Sequence, residues 1–383
     1  MFSKLIISFC NVNTKNLALG IYEYENDNFN WIELDQENII NGATGITYFK
    51  NRLWLLVQKN NGENNLCSIN NNFELEKTYP LQMTKDAHSI IVHDNGFLVN
   101  DTKHNRLNKI EIINNQNEIK ETEFWKYSND LDDVVHVNSI CKKDNKIFVS
   151  MFGKKSEEGW KFTKNGKIII IPEKKIIFEN IFHPHTLFVI ENDMYCLESA
   201  TGYVHKFSKK NGHEVILKLE GYVRGFTFDE NYFYVGASAR RRRSKSTGTQ
   251  NVSEAVTDED AQSWIYRIDR KTLEFERKSL AIYGEEIYDL MIYNQNDYHF
   301  SKKDVPILKR VWKYQDEIEN YKNELTHYKN ELVHHKDQLN KLADIEPKLK
   351  KFEKELKIIK NSKTWKALQY YLRFKKLFQR KNI

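Results

Sequence analysis

A short pattern recurs six times along the chain and constrains the fold more than any other feature of the sequence. The copies read ATGITYF at 43–49, AHSIIVH at 87–93, VNSICKK at 137–143, PHTLFVI at 184–190, VRGFTFD at 223–229 and IYDLMIY at 287–293. In each, a polar or small residue (Thr44, His88, Asn138, His185, Arg224 or Tyr288) leads into a β-rich apolar run. The copies fall roughly 40–60 residues apart, the range of a propeller blade. A unit this small cannot bury its own apolar face, so the copies must stack. Antiparallel strands of this kind stack radially about an axis. Residues 1–295 are therefore expected to form one all-β body, a β-propeller, with six side chains at equivalent points of a ring.

Each complete unit reads as four strands. The first runs ATGITYF, RLWLLVQ, NLCSIN, FELEKTY, and the fourth runs PHTLFVI, MYCLES, YVHKFS, EVILKLE. Period-2 alternation between turn residues supports strands over helices. After IYDLMIY the β pattern stops, leaving a unit with only its inner strand. The N-terminal runs KLIISFC, NLALGIYEYE and NFNWIELD match the second, third and fourth strands of the other units. The last strand should therefore complete the N-terminal blade and give six blades. Seven would require KLIISFC to be an inner strand of its own. One unit is interrupted by a long loop, Ala239 to Gln262, which opens with RRRRSKSTG after its first alanine. Loops of that length are usually functional or disordered.

Beyond Pro306 the pattern becomes helical, after a linker at 296–306. Val311, Tyr314, Ile318, Tyr321, Leu325, Tyr328, Leu332, His335, Leu339 and Leu342 follow the alternating three- and four-residue spacing of a heptad seam. The register slips near Pro347 and resumes through Leu349, Phe352, Leu356 and Ile359. The spacing predicts an α-helical coiled coil over 307–360 and a homo-oligomer held by it, with the number of helices open. The competing reading is a single helix packed on the propeller.

Charge divides the chain. Residues 301–383 hold 22 Lys/Arg against 11 Asp/Glu, leaving 37 against 42 in the rest. A mildly acidic body argues against a nucleic-acid-binding propeller, and the basic end becomes the anion-seeking part. Over 361–383 a basic amphipathic helix would place Lys366, Gln369, Arg373, Lys376 and Arg380 on one face. Trp365, Tyr370, Tyr371, Phe374 and Phe378 lie around it, and no acid follows Glu355. Such a helix suits the headgroup region of an anionic membrane, with Trp365, Lys366, Arg373, Lys376 and Arg380 as its contacts. Docking on a partner protein competes with that reading. No run approaches the roughly 18 apolar residues a spanning helix needs. The opening MFSKLIISFCN reads as a strand rather than a signal peptide. Cys10, Cys67, Cys141 and Cys196 are scattered, as buried free thiols of a reducing compartment would be. These features together predict a cytoplasmic protein peripheral to the inner membrane.

Aligning the six inner strands gives two columns two residues apart. The outer is Gly42, Asp86, His136, His183, Tyr222 and Glu286; the inner is Thr44, His88, Asn138, His185, Arg224 and Tyr288. Strand alternation would point each pair alike, toward one mouth of the central channel. The candidate ligand-binding set is Asp86, His88, His136, Asn138, His183, His185, Arg224, Glu286, Tyr288 and the adjacent Asp289. Two chemistries fit. His88, His136, His183 and His185 with nearby carboxylates could hold a divalent metal that activates water. Alternatively, Arg224 could pair with a sugar acid, phosphate or sulfate while His and Tyr bind hydroxyls. A third reading is that the polar side chains only satisfy inner-edge backbone groups. Arg240, Arg241, Arg242 and Arg243 form a further candidate, an anion-binding loop, against the plainer reading of a solvated charge run.

HPHT at 183–186, RGFTF at 224–228, YVGAS with the Arg-rich stretch after it at 234–243, and EEIYDL at 285–290 resemble an uncharacterised bacterial family, domain of unknown function 4915. The resemblance spans roughly residues 1–295. It implies a six-bladed propeller, often encoded near glycosyltransferases for surface polysaccharides, and carries no established activity. The ending NSKTWKALQYYLRFKKLF resembles tails of bacterial glycosyltransferases, where Ser-x-x-Trp-Lys precedes a basic aromatic helix. Sugar-lactone hydrolase propellers offer a further comparison, but their Glu, Asn, Asn, Asp calcium set is not reproduced here. The expectation is a ligand-binding or assembly protein of surface-polysaccharide synthesis, with a sugar-derived or anionic ligand and a glycosyltransferase partner. The alternative is a metal-dependent hydrolase or lyase acting on a carbohydrate at the channel mouth. A scaffold with an inert channel stands third.

Overall fold

The computed structural model describes residues 4–293, apart from 13, 15, 35–38, 114–117, 131 and 239–262, together with 353, 354 and 357. Strands β1 (Lys4–Phe9), β2 (Leu17–Glu23) and β3 (Asn28–Glu33) are the outer three of one sheet. Then come β4 (Ile40–Phe49), β5 (Arg52–Lys59), β6 (Asn64–Ile69) and β7 (Leu75–Leu81) as the second sheet. The third holds β8 (Ile90–His93), β9 (Gly96–Asp101), β10 (Arg106–Ile113) and β11 (Glu118–Lys126). The fourth holds β12 (Val137–Lys143), β13 (Lys146–Met151), β14 (Gly166–Ile171) and β15 (Lys175–Ile181). The fifth is β16 (Pro184–Ile190), β17 (Asp193–Glu198), β18 (Tyr203–Ser208) and β19 (Gly212–Lys218). The sixth is β20 (Tyr222–Phe228), β21 (Tyr232–Ser238), β22 (Ser263–Asp269) and β23 (Phe275–Ser279). Finally β24 (Ile287–Tyr293) returns to pair antiparallel with β1, Ile6 opposite Met291 and Ser8 opposite Asp289. The fold is an all-β, six-bladed propeller closed by strands from both ends of the repeat region.

The inner strands β4, β8, β12, β16, β20 and β24 touch in sequence and close a ring. Apolar cores lie between neighbouring blades, so each blade buries both faces. On β5, Leu53, Leu55 and Val57 pack toward the blade of β1–β3, whereas Trp54 and Leu56 pack toward β8–β11. That two-sided burial explains why RLWLLVQ is an almost unbroken apolar run rather than a strict alternation.

A repeated device joins the inner strands. The residue after each inner-column position faces an amide of the next blade. Ser89 Oγ accepts from Ile140 N at 3.3 Å, Ser139 Oγ from Leu187 N at 2.6 Å, and Thr186 Oγ1 from Gly225 N at 3.0 Å. Asp289 Oδ2 accepts from Ile46 N at 3.1 Å, which ties the closing strand to the next blade. At the two remaining seams the residue is Gly45 or Gly225. A Cβ there would lie 3.0 Å from Ile90 N or 2.9 Å from Leu290 N, so glycine allows a direct backbone approach where the others supply an acceptor.

The expected coiled coil over 307–360 lies outside the described residues except at Glu353, Lys354 and Lys357, which are helical and exposed. The basic helix at 361–383, with Trp365, Lys366, Arg373, Lys376 and Arg380, and the loop carrying Arg240, Arg241, Arg242 and Arg243 also lie outside them. Among the described residues no helix is long and apolar enough to cross a membrane. Cys10, Cys67, Cys141 and Cys196 are all buried.

Candidate functional site

The two columns do converge, although simple alternation does not bring them together. The outer residues Asp86, His136 and His183 precede their strands with φ of 51°, 51° and 58°, and Gly42 has φ of 152°. Non-glycine residues seldom take that region, and it turns the outer side chain back toward its inner neighbour. Inside the strands the register then slips at the inner position: between Val137 and Ser139, His185 and Phe188, and Arg224 and Phe226. Such bulges re-aim a side chain without ending the sheet.

The result is a closed circuit of rings around the axis. The Tyr288 ring lies 5.6 Å from His88, which lies 5.2 Å from His136. His136 is 4.4 Å from Phe152, which stacks on His183 at 4.4 Å and meets His185 at 5.2 Å. His185 is 5.4 Å from Tyr222, and Arg224 closes the circuit, lying 4.6 Å over Tyr222 and 5.2 Å over Tyr288. Among the described residues, blade β4–β7 adds no ring to it. Thr44 donates to the Ala87 carbonyl at 2.8 Å, and a Cβ on Gly42 would press against Cys10 Cα at 2.5 Å.

Partners fix the imidazole tautomers. His88 Nε2 donates to Asp86 Oδ1 at 3.0 Å, while its Nδ1 accepts from Asn138 Nδ2 at 3.1 Å. His183 Nε2 donates to the Trp160 carbonyl at 2.7 Å, and its Nδ1 accepts from the Tyr222 hydroxyl at 3.2 Å. Ser199 Oγ donates to the Val223 carbonyl, so it accepts from His185 Nδ1 at 2.8 Å. His136 Nδ1 donates to Asp133 Oδ2 at 2.6 Å. Burial pushes His183 down to about 4 despite its carbonyl partner, and pushes His185 well below the ordinary imidazole value, with Arg224 adding to that shift. Both rings are neutral at pH 7.

Burial alone would raise the Asp86 carboxyl. The His88 and His136 imidazoles and hydrogen bonds from His88 and Gln58 outweigh it and hold Asp86 well below the usual carboxylate range. Its side chain keeps 46% of its surface open. Burial likewise opposes the Arg224 charge, but Cys10, Tyr222, Glu286 and Tyr288 raise its pKa further. The guanidinium is a fixed cation.

Arg224 is only partly used. Its Nη1 reaches Glu286 Oε2 and Cys10 Sγ, each at 3.5 Å, the limit of a hydrogen bond. Its Nε is buried without a partner, and Nη2 donates to no described residue. The Tyr288 hydroxyl is buried and unpartnered too. Glu286 also accepts from Asn11 Nδ2 at 2.9 Å. Asp289 stands apart from the ring. Both its oxygens take amides, Ile46 N at 3.1 Å and Leu290 N at 2.9 Å, so it is a seam residue.

No metal set forms among the described residues: no three His, Cys, Asp or Glu side chains are arranged to hold an ion. His88, His136, His183 and His185 share the ring, but each is committed to a protein partner. The residues sequence reasoning missed are Asp133 and Trp160, which lie off the repeat register, and Phe152, which follows the second strand of its blade as Ser199 does in the next. Only the Asp-x-x-His spacing of Asp133 and His136 offered a signal.

The profile of the family described as Domain of unknown function (DUF4915) matches residues 35–299. The chain belongs to that family. No curated protein matches it. Among solved structures, a protein of unknown function from Bacteroides caccae superposes with a TM-score of 0.53 at 12% identity, covering 77% of this chain and 100% of that one. A chain from a nidogen–laminin complex gives 0.50 at 9% identity, covering 76% and 98%. At such identities the likeness is one of fold.

Proposed function

We propose that the propeller binds an anionic, sugar-derived ligand at the ring, with Arg224 as its anchor. One observation carries this reading. The Arg224 guanidinium is a fixed cation whose bonds to described residues are two long ones from Nη1, and 14% of its side chain stays exposed, so it can grip a carboxylate or phosphate. The rings of Tyr222 and Tyr288 both pack against the guanidinium, so little side-chain entropy remains to be lost on binding. Around it, the His and aromatic rings offer faces for a sugar. We further propose that the protein works at the cytoplasmic face of the inner membrane as a ligand-binding or assembly factor of surface-polysaccharide synthesis. The tail would meet anionic lipid, the 307–360 segment would join copies of the chain, and a glycosyltransferase would be the partner. The support for that wider role is the basic, aromatic ending and its glycosyltransferase-like Ser-x-x-Trp-Lys motif.

Calorimetry with glucuronate, galacturonate, N-acetylneuraminate and UDP-glucuronate tests the anchor. At least one should bind the full chain. Arg224→Met should remove about 1.5–3 kcal/mol of that affinity, the worth of one charge-assisted hydrogen bond. If none of the four binds, or Arg224→Met binds equally well, the anchor is misassigned.

A further inference from the structure

We infer that Asp133 and His136 form a general-base dyad that hydrolyses an ester carried by the anionic sugar bound at Arg224. The inference rests on the ligand reading above and adds a reaction to it. Both oxygens of Asp133 are spent on one residue: Oδ1 accepts the His136 backbone N–H at 2.8 Å, and Oδ2 accepts ring Nδ1–H at 2.6 Å. That grip holds His136 in its left-handed conformation, φ 51°, with the ring also set against Phe152 and Trp160 at 4.4 and 5.1 Å. With the proton on Nδ1, the Nε2 lone pair is left as the acceptor. No described residue bonds to it, and it is not a buried orphan. His88 and His183 differ, because a protein donor fills the remaining lone pair of each. An oriented imidazole with a carboxylate behind it and an open Nε2 ahead is the arrangement of a general base.

The remaining carboxylates indicate which bond could be cut. Glycoside cleavage needs two carboxyl groups, one of them a raised acid. Asp86 is held low and bonded to His88 and Gln58, and Glu286 is bonded to Asn11 and Arg224. Asp289 is raised to about 7, but its two oxygens are closed by seam amides. A lone imidazole base instead suits acyl transfer to water. His136 Nε2 takes a proton from water as the water oxygen bonds to the ester carbonyl carbon. The tetrahedral intermediate then breaks its C–O bond to the sugar. The proton passes from His136 to the departing oxygen, leaving a carboxylic acid and a free sugar hydroxyl.

The test uses the full chain with the three mono-O-acetylated methyl glucuronosides and, as a neutral probe, 4-nitrophenyl acetate. Acetate or nitrophenolate release should be detected with at least one of the four esters. His136→Gln should lower kcat at least about a hundredfold, the usual worth of a positioned base. Asp133→Asn should lower kcat with KM unchanged, because an amide can donate to Nδ1 and move the ring proton to Nε2. Thermal melts check that both variants fold, and calorimetry should still detect glucuronate binding by each. An unchanged rate in a folded His136→Gln, or no hydrolysis of any of the four esters by a wild type that binds glucuronate, overturns the dyad. His136-dependent hydrolysis of 4-nitrophenyl acetate without glucuronate binding upholds the dyad and removes the ligand reading alone.

Discussion

Asp289→Asn should destabilise the propeller in mild acid and cease to do so in mild base. Asp289 sits where the last strand meets the blade of β4–β7, with one oxygen on Ile46 N and the other on Leu290 N. An asparagine can offer an acceptor to only one of those amides, and the stranded N–H costs about 1–3 kcal/mol. Burial, opposed by the two amide bonds, pushes the Asp289 carboxyl up to about 7. In the unfolded chain it should titrate at about 3.9. The folded value is therefore the higher one, and the native state keeps a proton that the unfolded chain releases. The stabilising contribution is complete below about 3.9 and is lost as pH rises through about 7. Between about pH 5 and pH 8 the loss comes to about 2–3 kcal/mol, and asparagine does not share it. The variant should thus be about 1–3 kcal/mol less stable than wild type at the lower pH, and equal or more stable at the higher. Urea unfolding of both proteins at the two pH values reads the difference directly. Asp86, whose depressed carboxyl contributes the opposite slope, is common to both proteins and cancels. A gap between the two proteins that stays constant with pH, or widens toward pH 8, would refute the reasoning.

Two expectations concern the segments after the propeller. Leu325→Glu with Leu332→Glu should dissociate the full-length oligomer, because heptad core positions do not tolerate charge; light scattering at micromolar concentration decides, and a monomeric wild type would remove the coiled coil. Binding to anionic vesicles should fall with salt at about 1 kcal/mol per basic contact and disappear on charge reversal of Arg373 and Lys376, with Trp365→Ala weakening what high salt leaves. Binding that survives both changes would make the tail a protein-docking helix.

The blade count could be read in advance because a propeller repeats its burial pattern. Each copy presents the same apolar run to its neighbours, so ATGITYF and IYDLMIY announce equivalent strands without any contact being known. The closing strand was legible as a deficit: IYDLMIY lacked three companions, and the N-terminus held three strands without a first. The convergence of the His, Tyr and Arg side chains was legible for the same reason, since equivalent positions in a radial repeat face one axis.

What the tertiary structure alone decided is which of those side chains is committed and which is open. The left-handed turns at Asp86, His136 and His183 and the bulges behind them set orientation, and backbone conformation of that kind leaves no periodic trace. The sequence groups Asp289 with the ring, yet it follows Tyr288 by one residue and, like Ser89, Ser139 and Thr186, faces the seam. Asp133 and Trp160 reach the ring from connections outside the repeat, and Phe152 from the end of a second strand, so alignment of the inner strands could not name them. The state of each imidazole follows from what touches its other nitrogen, and those partners come from elsewhere in the chain or from another blade. Repetition encodes position; hydrogen-bond partners assembled across blades and loops encode chemistry.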